Sequence, residues 1–379
     1  MSDQQGAVSE PGLNPPEVRL QAAGKVHHED RRPHLPPQAG SGTERGIPPD
    51  LTPQVGGETE AGAVAATSNR RWIPGEEVHC VICTFNRRDD VLRCVASALD
   101  QSYPRTRVVV VDNGSTDGSA DALLARFGDR ITVLENRENL GGAGGFNTGV
   151  RWSCARGAVL VHLLDSDVVL HRDCVAELVR ALGESPAAGA AGSKSYFWSD
   201  KERLWCAGAV YRRMFNYTFH IGYGKRDGAA FNSAGVVPYM PACSLMVKRE
   251  VIDRVGLMDD ALFLYQDDVD WCLRMSGAGY DVRYVPSSVV WHDVSPRADA
   301  ITPLGMYYAS RNLLVLFSRY RRSRLEYAAM WPAFLARRSG AALIASRKGR
   351  AGARRLLRSL AYAVVDFAAG RLGKTPRVL

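Results

Sequence analysis

From Val78 onward, short apolar runs alternate with stretches whose apolar residues recur every three or four positions. Val78-His79-Cys80-Val81-Ile82-Cys83 is the first run and ends in Thr84-Phe85-Asn86-Arg87. Val91, Leu92, Val95 and Leu99 then fall at helical spacing behind Asp89 and Asp90, acids placed where a helix N-terminus favours them. Arg107-Val108-Val109-Val110-Val111 is a second strand, leaving at Asp112-Asn113-Gly114-Ser115-Thr116-Asp117-Gly118, with a helix over 120–127. Ile131-Thr132-Val133-Leu134 is a third, ending in Glu135-Asn136. A glycine turn at 141–145 leads to a helix around 147–155, and Val159-Leu160-Val161-His162-Leu163-Leu164 runs out into Asp165-Ser166-Asp167.

Strand and helix in alternation predict an α/β fold built on a Rossmann-like, mostly parallel sheet with right-handed crossovers and helices on both faces. Four strand ends then lie on one edge, where open sheets collect ligands. Thr84, Asn86, Asp112, the glycine turn, Asp165 and Asp167 are expected to share a crevice.

The second half is less regular. Residues 193–223 read as strands and loops over the crevice, and Pro238 to Val247 leads into a helix at Arg249 to Val255. Asp259 to Asp268 is a loop, Asp268 to Gly277 a helix, and Asp281 to Val285 and Val289 to His292 are two short strands. Residues 1–71 are rich in Pro, Gly, Glu, Gln and Ser and too poor in apolar side chains to offset ordering entropy, which predicts disorder. The chain therefore divides into a disordered 1–71, a folded 72–305 and a basic helical 306–379.

Charge sharpens that division. From Arg311 to the C-terminus, 16 Lys and Arg face only Glu326 and Asp366, a net +14 in a chain of +8, which leaves −6 for residues 1–310. The basic clusters alternate with Leu, Ala, Trp and Phe, a pattern for amphipathic helices on an anionic membrane surface. Packing as a plain helical hairpin is the alternative, and no nucleic-acid motif accompanies the charge. Tyr327 to Ile344, the longest apolar candidate, is broken by Pro332 and Arg337-Arg338, and the polar Met1 to Glu10 does not open a leader. The eight cysteines do not form a disulfide framework, and Cys80-x-x-Cys83 lies in a strand with its members on opposite faces. The expected setting is the cytoplasm.

Two carboxylates one residue apart at a strand end repel unless a cation or ligand hydroxyls separate them, and oxygen donors suit Mg²⁺ or Mn²⁺. Asp165 and Asp167 can serve so, with His292 as a further ligand at its own strand end; each alone is also a common solvated or packed residue. Gly144 and Gly145 let a backbone approach a diphosphate, with amides at a helix N-terminus, or simply form a flexible turn. The spacing is not that of a dinucleotide fingerprint. Asp112 can bind a base or ribose, or cap a helix. Asp267, Asp268 and Asp270 sit where acids favour a helix start, and adjacent acids in different surroundings also supply a tunable general base.

Taken in order, Cys-Thr84-Phe-Asn86-Arg, Val-Val-Val-Asp112-Asn-Gly-Ser-Thr-Asp-Gly, Asn139-Leu-Gly-Gly-Ala-Gly-Gly-Phe, Leu-Leu-Asp165-Ser-Asp167, Asp267-Asp268-Val-Asp-Trp-Cys-Leu-Arg274 and Trp291-His292 form a set that resembles the family 2 inverting glycosyltransferases of GT-A fold. Within that family the chain is similar to actinobacterial galactofuranosyltransferases and their rhamnosyltransferase relatives. Ser166 stands where many relatives carry a third Asp, and Gln266 where galactofuranosyltransferases often carry Trp. The resemblance implies that Thr84, Asn86 and Asp112 hold the donor nucleoside, and that Asp165 lies near ribose and metal. Asp167 and His292 would ligate Mn²⁺ or Mg²⁺, Asp268 would be the base and Asp267 its support. It implies a nucleotide-sugar donor, UDP-galactofuranose or alternatively dTDP-rhamnose. The acceptor would be a glycan or polyprenyl-diphosphate-linked lipid at the cytoplasmic face of the plasma membrane. A nucleotidyltransferase and a non-catalytic, membrane-docking relative are the rival expectations.

Overall fold

The computed structural model describes residues 17–19, 75–212, 217–294, 302–321, 323–345 and 350–377. Of the segment expected to be disordered, β1 (Glu17–Arg19) is described and pairs at the sheet edge; the rest of 1–71 lies outside the described residues. The alternation anticipated from Val78 is present: β2 (Val78–Thr84), α1 (Arg88–Leu99), β3 (Thr106–Asp112), α2 (Ser119–Phe127), β4 (Ile131–Glu135), α3 (Gly141–Ala155) and β5 (Leu160–Asp165). β4, β3, β2 and β5 lie side by side and parallel.

Successive strand side chains point to opposite faces, which is why runs such as Val108-Val109-Val110-Val111 serve two cores. Cys80, Ile82, Val108, Val110, Leu160 and Leu164 pack with α1, α2 and α4 (Cys174–Glu184) on one face. Val81, Val109, Val111, Val161 and Leu163 pack on the other against α3, α5 (Arg249–Val255) and α6 (Asp267–Gly277). Each fully buried Val or Leu contributes about 1.5–3 kcal/mol. The two faces bracket the sheet and hold its strand ends in register.

Beyond β5 the sheet is mixed, which the irregular second half had not revealed. β6 (Val168–Leu170), β7 (Ala188–Phe197), β8 (Asp200–Cys206), β11 (Gly235–Val236), β12 (Ser244–Lys248) and β13 (Asp281–His292) complete it, and β9 (Ala209–Arg212) with β10 (Tyr217–His220) form a separate ribbon. β12 runs antiparallel between β5 and β7, and β7 pairs parallel with β13. The two short strands expected at 281–292 are one strand, with a register shift between Val285 and Val289.

The glycine turn also differs. Helix α3 begins at Gly141, so Gly141 to Gly145 form its first turns. Asn139 Oδ1 accepts from the Gly141 amide at 2.8 Å, and Asn113 Oδ1 from the Leu140 amide at 3.2 Å, which sets the helix start. Close packing explains the low-propensity residues: a Cβ on Gly145 would stand 2.3 Å from the Cys83 sulfur, and one on Gly149 2.3 Å from Val81.

After β13 come α7 (Pro303–Tyr320), α8 (Arg324–Ala345) and α9 (Arg350–Ala368). Helix α7 is buried nearly all round, from Met306 to Phe317. Leu313, Leu314 and Phe317 pack with Met330, Phe334, Leu356 and Leu360 into a core of their own. The basic helical extension is present, but its first helix is an interior element and not a surface one.

Candidate active site

β5 delivers Asp165 beside Cys83 of β2, and the chain turns through Ser166 and Asp167 into β6. β6 pairs antiparallel with β13 so that His292 faces Val168, and the Asp293 amide donates to the Asp167 carbonyl at 2.8 Å. That register places His292 Nε2 3.1 Å from Asp167 Oδ1 and 3.8 Å from Asp165 Oδ2. Ligand atoms of Asp165, Asp167 and His292 all lie within 4.8 Å of one another. Arg87, at the end of β2, brings Nη1 to 3.0 Å from Asp167 Oδ2 and 3.1 Å from Asp90 Oδ2.

A crevice of about 530 Å³ joins these residues to a second acid pair. Asp267 and Asp268 open α6 and line the same space with Gly142, Trp205, His220, Tyr239 and Tyr265. Asp268 Oδ1 accepts from the Val269 amide at 2.8 Å, and its Oδ2 from Ala242 at 3.4 Å. Four carboxylates thus line one crevice, with Arg87 and His292 among them.

The electrostatics separate them. Burial pushes Asp267 up, and the Asp268 charge pushes it further, well above the carboxylate range. Burial also raises Asp268, but its backbone hydrogen bonds favour the charged form and hold it lower than Asp267. The Val269 and Ala242 amides thus favour the charged form of Asp268. Enclosure and then the Asp167 charge raise Asp165, whose side chain keeps 41 % of its surface open to screening water. Burial opposes charge on Asp167 too, but the His292 hydrogen bond and charge and Arg87 outweigh it and lower its pKa. His292 is raised in turn: burial disfavours the imidazolium, and Asp167 and Asp165 overcome that.

Two carboxylates and an imidazole Nε2 converging on one point are a donor set for a hard to borderline divalent cation. His292 Nδ1 is buried without a hydrogen-bond partner among the described residues, and Trp205 packs edge-on against the ring at 4.5 Å between centroids. The residues present fit a metal.

Residues 79–256 match the model of the family described as glycosyl transferase family 2. The chain carries a glycosyl transferase family 2 domain. It is 24 % identical over 250 residues to the dTDP-rhamnosyl transferase RfbF of Shigella flexneri, covering 64 % of this chain and 80 % of that one. The galactofuranosyltransferase GlfT1 of Mycolicibacterium smegmatis is 25 % identical, with 54 % of this chain and 67 % of that one covered. For GlfT2 of the same organism identity is again 25 %, with 62 % of this chain covered but only 40 % of the relative. GalNAc-T7, solved with UDP, GalNAc and Mn²⁺, superposes with a TM-score of 0.54 at 14 % identity, over 78 % of this chain and 58 % of that one, and supports the GT-A fold. By these similarities the chain is a glycosyltransferase.

The glycosyltransferase gathers Asp165, Asp167, His292, Asp267 and Asp268 in its crevice but leaves other expected residues outside the lining. Thr84 is buried at the end of β2, its hydroxyl unpartnered among the described residues. Asn86 adopts a left-handed φ of 53° and accepts from the Thr116 amide at 2.8 Å, while Asp112 Oδ1 accepts from the Ser115 amide at 2.7 Å. Both therefore brace the turns at the strand ends. Gly144 stands against Leu140 and Gly145 against Cys83 and Asn113, so neither lines the crevice. Sequence reasoning gave no role to Arg87, Trp205, His220 or Asn113, whose Nδ2 donates to the Gly141 carbonyl at 2.9 Å. Arg87 stood within a strand-end motif and could have been found; β8 and β10 carry no pattern that marks Trp205 or His220.

Proposed function

We propose that this glycosyltransferase transfers a sugar from a nucleotide-diphosphate donor to an acceptor hydroxyl in one inverting displacement, with Asp268 as base. The observation that carries this reading is the pairing, across one crevice, of a convergent Asp165–Asp167–His292 set with the acid pair Asp267–Asp268, whose second member accepts from the Val269 and Ala242 amides. Asp165, Asp167 and His292 would hold Mn²⁺ or Mg²⁺, which supplies charge neutralisation for the departing diphosphate. Asp268 removes the acceptor proton as that oxygen bonds to the anomeric carbon; the carbon–oxygen bond to the diphosphate breaks and its electron pair leaves with the nucleotide. Asp267, its pKa raised by burial and by the neighbouring Asp268 charge, stands beside the base. Arg87 and the strand-end turns at Thr84, Asn86 and Asp112 form the nucleotide side.

The donor is a UDP-sugar such as UDP-galactofuranose, in line with the galactofuranosyltransferases, or dTDP-rhamnose, in line with RfbF. Calorimetric titration of UDP and dTDP, each with and without Mn²⁺, decides between them, and metal-independent binding of both would count against the metal site. The acceptor is a glycan or polyprenyl-linked glycolipid, entering past Tyr217 and Tyr223, which line a shallow groove sharing Thr218, His220 and Tyr239 with the crevice.

No helix of the described residues is long and apolar enough to cross a membrane. We infer peripheral docking on an anionic lipid surface through α8 and α9: on α8 Leu325 and Leu343 are 83 % and 58 % exposed, and on α9 Arg354, Arg355 and Arg358 are exposed. Full-length protein should float with phosphatidylglycerol vesicles and not with neutral ones. Equal flotation with both, or with neither, would remove the proposal.

A further inference from the structure

The loop that leads to the acid pair is held from two sides. Asp267 and Asp268 are preceded by a loop in which Phe263, Tyr265 and Gln266 have φ of 64°, 66° and 68°. At Phe263 the backbone also makes a tight turn, with ψ of −54° and the Leu264 amide donating to the Leu262 carbonyl at 2.8 Å. Positive φ in bulky side chains, and a γ-turn of this hand, persist only where surroundings impose them. Neighbouring elements supply that constraint through named atoms.

On one side is the glycine-rich start of α3. The Gly142 amide donates to the Phe263 carbonyl at 2.7 Å, and a Cβ on Gly141 would lie 2.0 Å from that oxygen. The backbone that these glycines admit is this loop.

On the other side is α7. Asn312, fully buried, donates through Nδ2 to the carbonyls of Leu262 at 2.8 Å, Leu264 at 2.9 Å and Tyr265 at 2.9 Å. Arg311, also fully buried, donates through Nη2 to Leu262 at 2.9 Å and through Nη1 to the Gly373 carbonyl at 2.8 Å; its Nε holds the Asn312 side-chain oxygen at 2.9 Å. The Gly373 amide returns to the Ala261 carbonyl at 2.6 Å. Phe263 stacks on Tyr308, with centroids 5.1 Å apart. The two N–H groups of one side-chain amide are thus shared among three carbonyls of one loop; that of Leu262 also accepts from the Leu264 amide and Arg311.

We propose that Asn312, oriented by Arg311, is a positioning residue for the acid pair, and that the C-terminal segment through Gly373 is part of the catalytic unit. The proposal rests on Asp268 as base. The interaction needs an NH₂ group at the centre of three carbonyls; Asn312→Asp keeps the volume and removes those donors. Hydrogen exchange on the full-length, ligand-free variant should show amides of 262–264 exchanging at least tenfold faster, with β2 and β5 protection unchanged. Turnover should fall between tenfold and a hundredfold, with the Kd for the nucleotide in Mn²⁺ within twofold of wild type. A merely structural defect would move β2 and β5 protection and nucleotide binding together with turnover. Arg311→Lys, which keeps the charge but cannot bridge Leu262 and Gly373, is the milder variant if Asn312→Asp does not fold. Unchanged loop exchange in the folded variant, or fast loop exchange with full turnover, overturns the proposal. Full turnover in Asp268→Asn would instead overturn the assignment of the base, while the exchange result would still report on the clamp.

Discussion

Replacing Gly141 by alanine places a Cβ 2.0 Å from the carbonyl oxygen of Phe263, at a residue whose φ is +78°. Two costs follow. An L-residue in the left-handed region costs about 1–2 kcal/mol. The overlap is with backbone, so the loop must retreat by about 1 Å to reach an acceptable contact, and the Gly142–Phe263 hydrogen bond, worth about 1 kcal/mol, is lost with it. We expect about 3 kcal/mol of destabilisation in urea unfolding followed by fluorescence, and a fall in Tm of roughly 5–10 °C for a domain of this size. Since a misplacement of about 1 Å can lower turnover a hundredfold, activity should fall more than stability alone dictates at temperatures where the variant is folded. Nucleotide affinity should hold. If Gly141→Ala is within about 0.5 kcal/mol of wild type and instead loses nucleotide binding, the glycines serve a phosphate and the packing argument is wrong.

Asp268→Asn should lower turnover by about 10²–10⁴-fold with nucleotide binding retained, measured by donor consumption and calorimetry; a loss under tenfold removes it as base. Arg87→Ala leaves Asp167 without its guanidinium and the crevice more negative, so binding of the nucleotide diphosphate should weaken, by roughly tenfold or more in the absence of metal. His162 is fully buried, bonded to Ser244 Oγ at 2.9 Å, and burial pushes its pKa down to about 3. The folded form therefore keeps it neutral while the unfolded chain protonates near 6.5, so its contribution is present above that value. It is lost by up to about 1.4 kcal/mol per pH unit as pH falls from 6.5 towards 3. His162→Gln should flatten the stability–pH slope between pH 6.5 and 5, and an unchanged slope refutes the assignment. Leu325→Glu with Leu343→Glu should abolish flotation on anionic vesicles without altering turnover on a water-soluble acceptor analogue.

Legibility in the sequence followed the kind of contact that made each feature. β2 to β5 were readable because their partners are regular: parallel strands covered on both faces need continuous apolar runs, and Val108 to Val111 can be little else. Asp165, Asp167 and His292 were readable as residue types at strand ends, although what joins them is the β6–β13 register, which no local pattern encodes. The antiparallel β12 between β5 and β7 was invisible for the same reason: Ser244 to Lys248 is apolar enough for a strand, but its direction is set by partners distant in sequence. The glycine run is ambiguous in the sequence because one composition serves two ends. Backbone admitted closely to a ligand and backbone admitted closely to another loop demand the same missing Cβ, and only the position of Phe263 separates them.

The C-terminal region shows where charge counting stops being informative. Its net +14 invites a surface reading, yet the cations divide into two populations. Arg311, Arg319, Arg371 and Arg377 are spent internally: Arg319 on Asp259 and Asp270, Arg371 and Arg377 on the buried Asp366, which also accepts from Tyr307 at 2.8 Å. Those bonds fasten α7, α9 and the final segment to the loop and helix that carry Asp267 and Asp268. Arg354, Arg355 and Arg358 on α9 are exposed, and the docking proposed above draws on them. A truncation after Ser310 would therefore remove the catalytic support together with any membrane contact, and loss of flotation in such a protein would say nothing about lipid. Point substitutions at Leu325 and Leu343 separate the two roles, because both are far exposed and neither belongs to the network around Asn312.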